Sequence, residues 1–351
     1  MGNKKRVFTL IMAVSIAMSG VTGCGSKLDD KEIAIQVGEK KITADAANFY
    51  ARYQQAQYET YYASLMGNDM WSKEIKKGVT YEDDVKKDVI KSLEELCVVE
   101  QHAKKYKVKL TDEEKVKMKK TTDKFLEGNA LEDKKAITAN EKSVMSILEL
   151  LTLQRKMNEA MTADVNTEVS DEEAAQKSMQ YVEFLFTTTD EAGNTKTLSE
   201  DEKKALKEAA AGFAEGIKEN PDFAAVATAS GYEPKTAAFD ASSTTPSKEL
   251  ITAAIALNEG QMTEVIESEN GYYVGKITSL LDREATDAKK QTIINTRKQD
   301  EYSKLVKKWK KATDIKVNKK IWKKISFKSQ GVTINQEEKI PYGESSSQSA
   351  Q

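Results

Sequence analysis

The sequence predicts a mainly α-helical protein that carries one α+β domain, and three observations lead there. Its 351 residues include 17 glycines and 4 prolines, so few positions break a helix or demand a turn. Thr111 with Glu114, Ser170 with Glu173 and Ser199 with Glu202 have the spacing of a capping box, in which hydroxyl and carboxylate answer unpaired N–H groups at a helix start. Strand-like runs are confined to small segments, chiefly Tyr181 to Phe186 and Tyr272 to Ile277. The chain is long enough for two domains with cores of their own.

At the start, Lys4, Lys5 and Arg6 precede an uncharged apolar stretch from Val7 to Gly20, then Val21, Thr22, Gly23 and Cys24. This is the order of a signal peptide. The apolar run is shorter than the roughly 20 residues of a spanning helix and ends in small residues. A cysteine directly after that small pair resembles the lipobox of bacterial lipoproteins. The resemblance implies that residues 1–23 are removed, that Cys24 carries the lipid, and that residues 24–32 are a polar tether. Acyl chains, at about 0.8 kcal/mol per buried methylene, hold such a protein on a bilayer. A free cysteine behind an ordinary signal peptide is the alternative.

Residues 33–176 read as a helical domain with a small β element. Ile33, Ile35 and Val37 alternate with Ala34 and Gln36, and Gly38 to Lys41 turn the chain into Ile42, which makes a hairpin. Thr43 is placed to cap a long helix on which Phe49, Tyr50, Tyr53, Tyr58, Tyr61, Tyr62 and Leu65 share one broad face. Tyrosine combines large apolar contact with a polar edge, so Tyr50, Tyr53 and Tyr61 are candidate peptide-binding residues. Ordinary core packing is the plainer reading of that face. Val85, Val89, Leu93, Leu96 and Cys97 mark a second helix, with His102 off its stripe, and Val144, Ile147, Leu148 and Leu151 mark another.

A second domain spans residues 177–284. After the strand at Tyr181, a polar loop through Asp190, Gly193 and Asn194 leads to a helix from Glu200 to about Glu219. Asn220 and Pro221 start another helix containing Phe223, Val226 and Ala227, and a turn at Asn270 and Gly271 leads into the closing strand. Residues 285–328 return to helices: a charged one from Asp287 to Ala312, a short alternation at Ile315 and Val317, then Asn318 opening a helix with Ile321, Trp322 and Ile325. Lysines 307, 308, 310, 311, 319, 320, 323 and 324 suit either an anionic surface or plain solvation. Residues 329–351 are polar and serine-rich, with too little apolar content to fold.

The formal net charge is −2 with a single histidine, which points to no nucleic-acid partner and leaves histidine triads, Cys/His dyads and the commoner zinc sites without residues. No phosphate-cradling glycine loop or dinucleotide fingerprint is present, so no cofactor or metal is expected. The carboxylate pairs Asp112–Glu113 and Asp171–Glu172 fall in first helical turns, where the helix dipole accounts for them.

Three segments, taken in order, resemble the SurA-like and PrsA-like extracytoplasmic foldases: AIQVGEKKITADAANFY from Ala34, DVIKSLEELCVVEQHAKKYKVKLTDEE from Asp88, and DFAAVATASGYE from Asp222 with ELITAAIALNEGQMTEVIESENGYYVGKI from Glu249. The resemblance implies a helical chaperone domain built from the N- and C-terminal segments around an inserted parvulin-like (rotamase) α+β domain. It places the family's two active-site histidines at Glu183 and Tyr273 and its pocket phenylalanine at Leu250, so this sequence departs from the pattern where the isomerase activity resides. Prolyl isomerisation needs a site that favours the twisted amide, not a covalent step. A site with Glu183 in place of an imidazole is implied to be weak or inactive, and Leu250 and Tyr273 remain as candidate peptide-binding residues. The expected function is that of a lipid-anchored chaperone on the extracytoplasmic face of the cell membrane, whose partners are unfolded exported polypeptides and the bilayer at Cys24, with a homodimer left open. An active prolyl isomerase is one alternative. A solute-binding lipoprotein is another, against which the long helices and scarce glycine argue.

Overall fold

The computed structural model describes residues 16–19, 28–67, 69–129, 131–189, 193–328 and 331–334; Cys24 and the expected cleavage site lie outside them. In chain order the first elements are β1 (Ile16–Ser19), β2 (Ile33–Val37), β3 (Lys40–Thr43), α1 (Ala44–Met66), β4 (Glu74–Lys76), β5 (Val79–Thr80), α2 (Tyr81–His102), α3 (Asp112–Glu127), α4 (Leu131–Ala136) and α5 (Glu141–Met161). There follow α6 (Asp171–Ala174), β6 (Lys177–Leu185), β7 (Thr187–Thr189), β8 (Thr195–Thr197), α7 (Glu200–Glu219), α8 (Phe223–Ala229), β9 (Lys235–Phe239), α9 (Lys248–Ala254), β10 (Ile266–Ser268) and β11 (Gly271–Ser279). The last are α10 (Arg283–Ala312), β12 (Ile315–Val317), α11 (Lys319–Lys324) and β13 (Gly331–Ile334). Two compact units divide at 165/166 and 299/300, with residues 1–165 and 300–351 in one and 166–299 in the other.

The helical unit is built from both ends of the chain. Its three-stranded sheet has the order β12-β2-β3, with Ile315 opposite Val37 and Val317 opposite Ile35. Phe49, Leu93, Leu96, Phe125, Ile147 and Leu148 from the first segment share one core with Trp309, Ile321, Trp322 and Phe327 from the second. Capping boxes close at Thr111–Glu114, as expected, and also at Thr80–Asp83 and Asn140–Ser143. Thr43 occupies the cap position of α1, but its side chain accepts no backbone N–H; its hydroxyl donates to the Asp45 carboxylate instead. Cys97 is buried without a disulfide, and burial pushes its thiol up to about 12, so it packs as an inert apolar group.

β13 corrects one expectation. Four residues of the 329–351 stretch form a strand, pairing antiparallel with β1 inside the expected signal peptide. The Val-Thr-Ile alternation at 332–334 favours a strand locally, which the polar composition of the whole tail conceals.

The second unit holds a four-stranded antiparallel sheet of order β10-β11-β6-β9. α7 carries the expected capping box at Ser199–Glu202, whereas Ser170 accepts from Glu173 N–H without the reciprocal bond. α8 starts later than Asn220–Pro221: Asp222 is its cap and accepts from Ala225 N–H, while Asn220 closes α7. α10 likewise starts ahead of Asp287, because the Asp282 carboxylate accepts the Ala285 N–H at 2.9 Å. Among the described residues no helix is long and apolar enough to cross a membrane.

Candidate functional site

Alternation along β6 and β11 sends successive side chains to opposite faces of the sheet. Val182, Phe184, Tyr272 and Val274 form one core with Phe213 and Ile217 of α7 and with Phe223 of α8. Met179, Tyr181, Tyr273 and Ile277 form another with Phe239 of β9 and with Leu250, Ile251 and Ala254 of α9. Gly275 makes the approach of α9 possible: a Cβ there would lie 3.2 Å from Leu250 Cδ1 and 3.3 Å from Met179 Sδ. Gly271 is demanded at the other end of β11, where a Cβ would lie 2.3 Å from the Phe184 carbonyl oxygen.

Register brings the two expected positions together. Tyr273 stands directly opposite Glu183 across the β11–β6 ladder, and Tyr181 stands opposite Lys235 at the start of β9. The Lys235 ammonium donates to Glu183 Oε1, so the Glu183 carboxylate is held in an ion pair. Lys235 was not singled out by sequence, because β9 has only the weak pattern Lys-Thr-Ala-Ala-Phe. Burial, then the Glu183 charge, raises the hydroxyls of Tyr181 and Tyr273 above the usual tyrosine value. The bond to Glu183 holds the Lys235 ammonium above its own ordinary value. Two phenols and an ammonium that keep their protons at neutral pH, with one carboxylate already paired, offer hydrogen-bond donors but no group among them poised to shuttle a proton. Leu250 of α9 is 0% and Tyr273 of β11 3% exposed, so both are packed between α9 and the sheet and neither lines an open pocket.

The aromatic face of α1 is divided. Tyr50 is 4% exposed, with its hydroxyl 2.9 Å from Ser92 Oγ, and Tyr53 is half-buried beside Phe49. Glu59 is the last buried residue of α1, and of the turns beyond it Ala63 and Met66 still pack against the core. In those turns Tyr61, Tyr62 and Leu65 are 56%, 46% and 83% exposed. Of the three candidate peptide-binding tyrosines Tyr50, Tyr53 and Tyr61, Tyr61 is therefore the one open to a partner. Tyr62 and Leu65 join it, and were visible in the same helical spacing.

His102 stacks on Trp309 with ring centroids 3.9 Å apart, and its Nδ1 lies 2.9 Å from the Val98 carbonyl oxygen, which makes it a packing residue. Of the C-terminal lysines, Lys310 pairs with Glu94 at 2.9 Å, and the other seven are solvent-exposed. No group of side chains suited to a metal ion occurs among the described residues.

Comparison with known proteins gives two family matches: a SurA-like N-terminal domain over residues 3–139 and a PPIC-type PPIase domain over residues 187–290. The second match begins beyond β6, so Glu183 precedes it while Leu250 and Tyr273 fall within it. No curated protein sequence matches the chain. Among solved structures, a foldase protein (PrsA) from Lactococcus lactis is 14% identical, covering 84% of this chain and 99% of that one, with a TM-score of 0.35. A peptidylprolyl isomerase (PrsA) from Bacillus anthracis is 22% identical over 65% of this chain and 99% of its own, with a TM-score of 0.30. A foldase protein PrsA from Streptococcus pneumoniae is 18% identical over 73% and 99%, with a TM-score of 0.31.

Proposed function

We propose that this chain, a PrsA/SurA-like parvulin-containing foldase by its SurA-like N-terminal and PPIC-type domains, works as a chaperone for exported polypeptides, tethered by lipid at Cys24 on the outer face of the membrane. The observation that carries this reading is the open end of α1, where Tyr61, Tyr62 and Leu65 leave the core together. Apolar and aromatic groups held on a rigid helix give weak, sequence-tolerant contact, which suits clients that must leave again. The PPIC-type domain then acts as a binding or spacing module, because an ion pair and a buried tyrosine stand where the resemblance places histidines.

The test pairs two assays on the purified chain from Ser26 onward: suppression of aggregation of an unfolded protein, and prolyl isomerisation of a peptide followed by NMR exchange. Suppression without isomerisation is expected, and Tyr61→Ser with Leu65→Ser weakens it several-fold. Isomerisation at parvulin-like rates would instead establish the alternative, an active isomerase, for which the PPIC-type match speaks. Neither activity would sink both readings. The tether is tested separately: Cys24→Ser abolishes incorporation of labelled fatty acid and releases the protein from membranes.

A further inference from the structure

We infer that the edge of β13 is a strand-addition site for an extended apolar stretch of client polypeptide. The inference rests on the chaperone reading above and gives it a second mode of contact. Residues 331–334 lie against α1, and their antiparallel partner is β1, with Ile16 opposite Ile334 and Ser19 opposite Gly331. The occupant is an Ile-Ala-Met-Ser segment from a stretch with the sequence of a signal peptide: apolar, uncharged and extended, as an exported chain is before it folds. It lies next to α4 as well, so a strand in this place is flanked by helix and not left in open water.

Cleavage before Cys24 would remove β1 and leave the N–H and C=O groups along that side of β13 without their ladder. An isolated edge of this kind is a template for any chain that can present a complementary backbone. Strand addition takes its affinity from main-chain hydrogen bonds and asks little of side-chain identity, which matches a chaperone with many clients. It also excludes proline, whose nitrogen has no hydrogen to donate. The core of the helical unit begins at Leu28, so the chain from Ser26 onward keeps every described core residue and has lost the occupant.

The probe is a fluorescent synthetic peptide of residues Val14–Val21, titrated into the chain from Ser26 onward. Alongside it runs the same peptide with Ala17→Pro and Met18→Pro, which removes adjacent N–H groups and so spoils the ladder on either edge. The expected result is saturable binding that slows amide exchange at residues 331–334, is displaced by an unfolded polypeptide, and weakens at least tenfold in the proline peptide. Equal binding of both peptides, protection elsewhere in the chain, or no binding would each overturn the strand-addition site. Aggregation suppression measured on the same preparation separates the two readings. If suppression stands while residues 331–334 stay unprotected, this inference fails alone; if suppression is absent too, the chaperone reading fails with it.

Discussion

In the helical unit one seam between distant segments is built on the buried charged residues Arg52, Glu59 and Glu82, whereas in the α+β unit the ion pairs lie nearer the water. Arg52 is 4% exposed and donates to Gln55 Oε1 and to the Ser326 carbonyl at 2.8 Å, and Gln55 reaches the Phe327 carbonyl at 3.1 Å. Glu82 accepts the Phe327 N–H at 3.0 Å, and Trp71 donates to Glu59 at 2.7 Å. The bonds to Ser326 and Phe327 tie residues 52–82 to residues 326–327. In the α+β unit Lys235–Glu183, Lys290–Asp171 and Lys289–Asp240 all keep partly exposed side chains, and two apolar cores hold the sheet. The difference teaches where each unit is fragile: the first at its buried polar seam, the second at its packing.

The sharpest way to break that comparison is Arg52→Ala. Burial pulls the guanidinium down to about 10, against the opposing pull of Glu59 and Glu82. Removing it leaves the buried Gln55 amide oxygen and the carbonyl of half-buried Ser326 without their charged donor, at a cost of about 1–3 kcal/mol for each group left unsatisfied. Cys97 reports the result, since in the chain from Ser26 onward it is the one cysteine left. Its buried thiol reacts with a thiol reagent when the helical unit opens, so labelling accelerates in Arg52→Ala. A change below about 1 kcal/mol would show that the seam is solvated and the contrast false.

Leu250→Ala is the matching test of the α+β unit. It deletes a fully buried side chain between α9 and the sheet, for an expected cost of about 2–5 kcal/mol. The unfolding transition that carries the tyrosine signal of this unit moves, while Cys97 labelling in native buffer stays at its wild-type rate. Faster labelling of Cys97 would mean that the two units unfold as one.

Acid separates the units more gently. Bonds from Lys290, then Arg283, hold the Asp171 carboxyl at about 2, below its ordinary 3.8. A carboxylate depressed in the folded state stabilises fully above its unfolded value and loses that contribution as pH falls through the folded one. The stability difference between wild type and Asp171→Asn in the α+β unit is thus present at neutral pH and closes between about pH 4 and pH 2. A difference that persists unchanged to pH 2 would remove the ion pairs as its source.

How much of this was legible in the sequence follows the range of the interactions. α7 over Glu200–Glu219 and the box at Thr111–Glu114 were readable because a cap and an apolar stripe lie within one helix. The building of one helical unit from both chain ends came from the resemblance, since the pairing of Ile315 with Val37 leaves no local mark. β9 was missed because its alanines carry little strand signal, and with it went Lys235. The aromatic face of α1 had the right period, but spacing says which residues share a face and not how far along the helix the cover extends. Tyr50 and Tyr61 look alike in sequence and differ in what packs on them.

Glu183→Gln is expected to have the smallest effect on stability and a specific effect elsewhere. The Lys235 side chain is 41% exposed and that of Glu183 20%, so solvent screens the pair and its removal costs less than about 1 kcal/mol. Glu183 nevertheless faces Tyr181 and Tyr273, where its charge adds to burial in raising both hydroxyls. In Glu183→Gln that contribution disappears, and an ultraviolet titration finds two tyrosines ionising at lower pH with the melting curve nearly unmoved. An unchanged titration would place the carboxylate out of electrical reach of Tyr273, despite their opposition in the ladder. A large loss of stability would instead make the ion pair a structural seam of the kind that closes the helical unit.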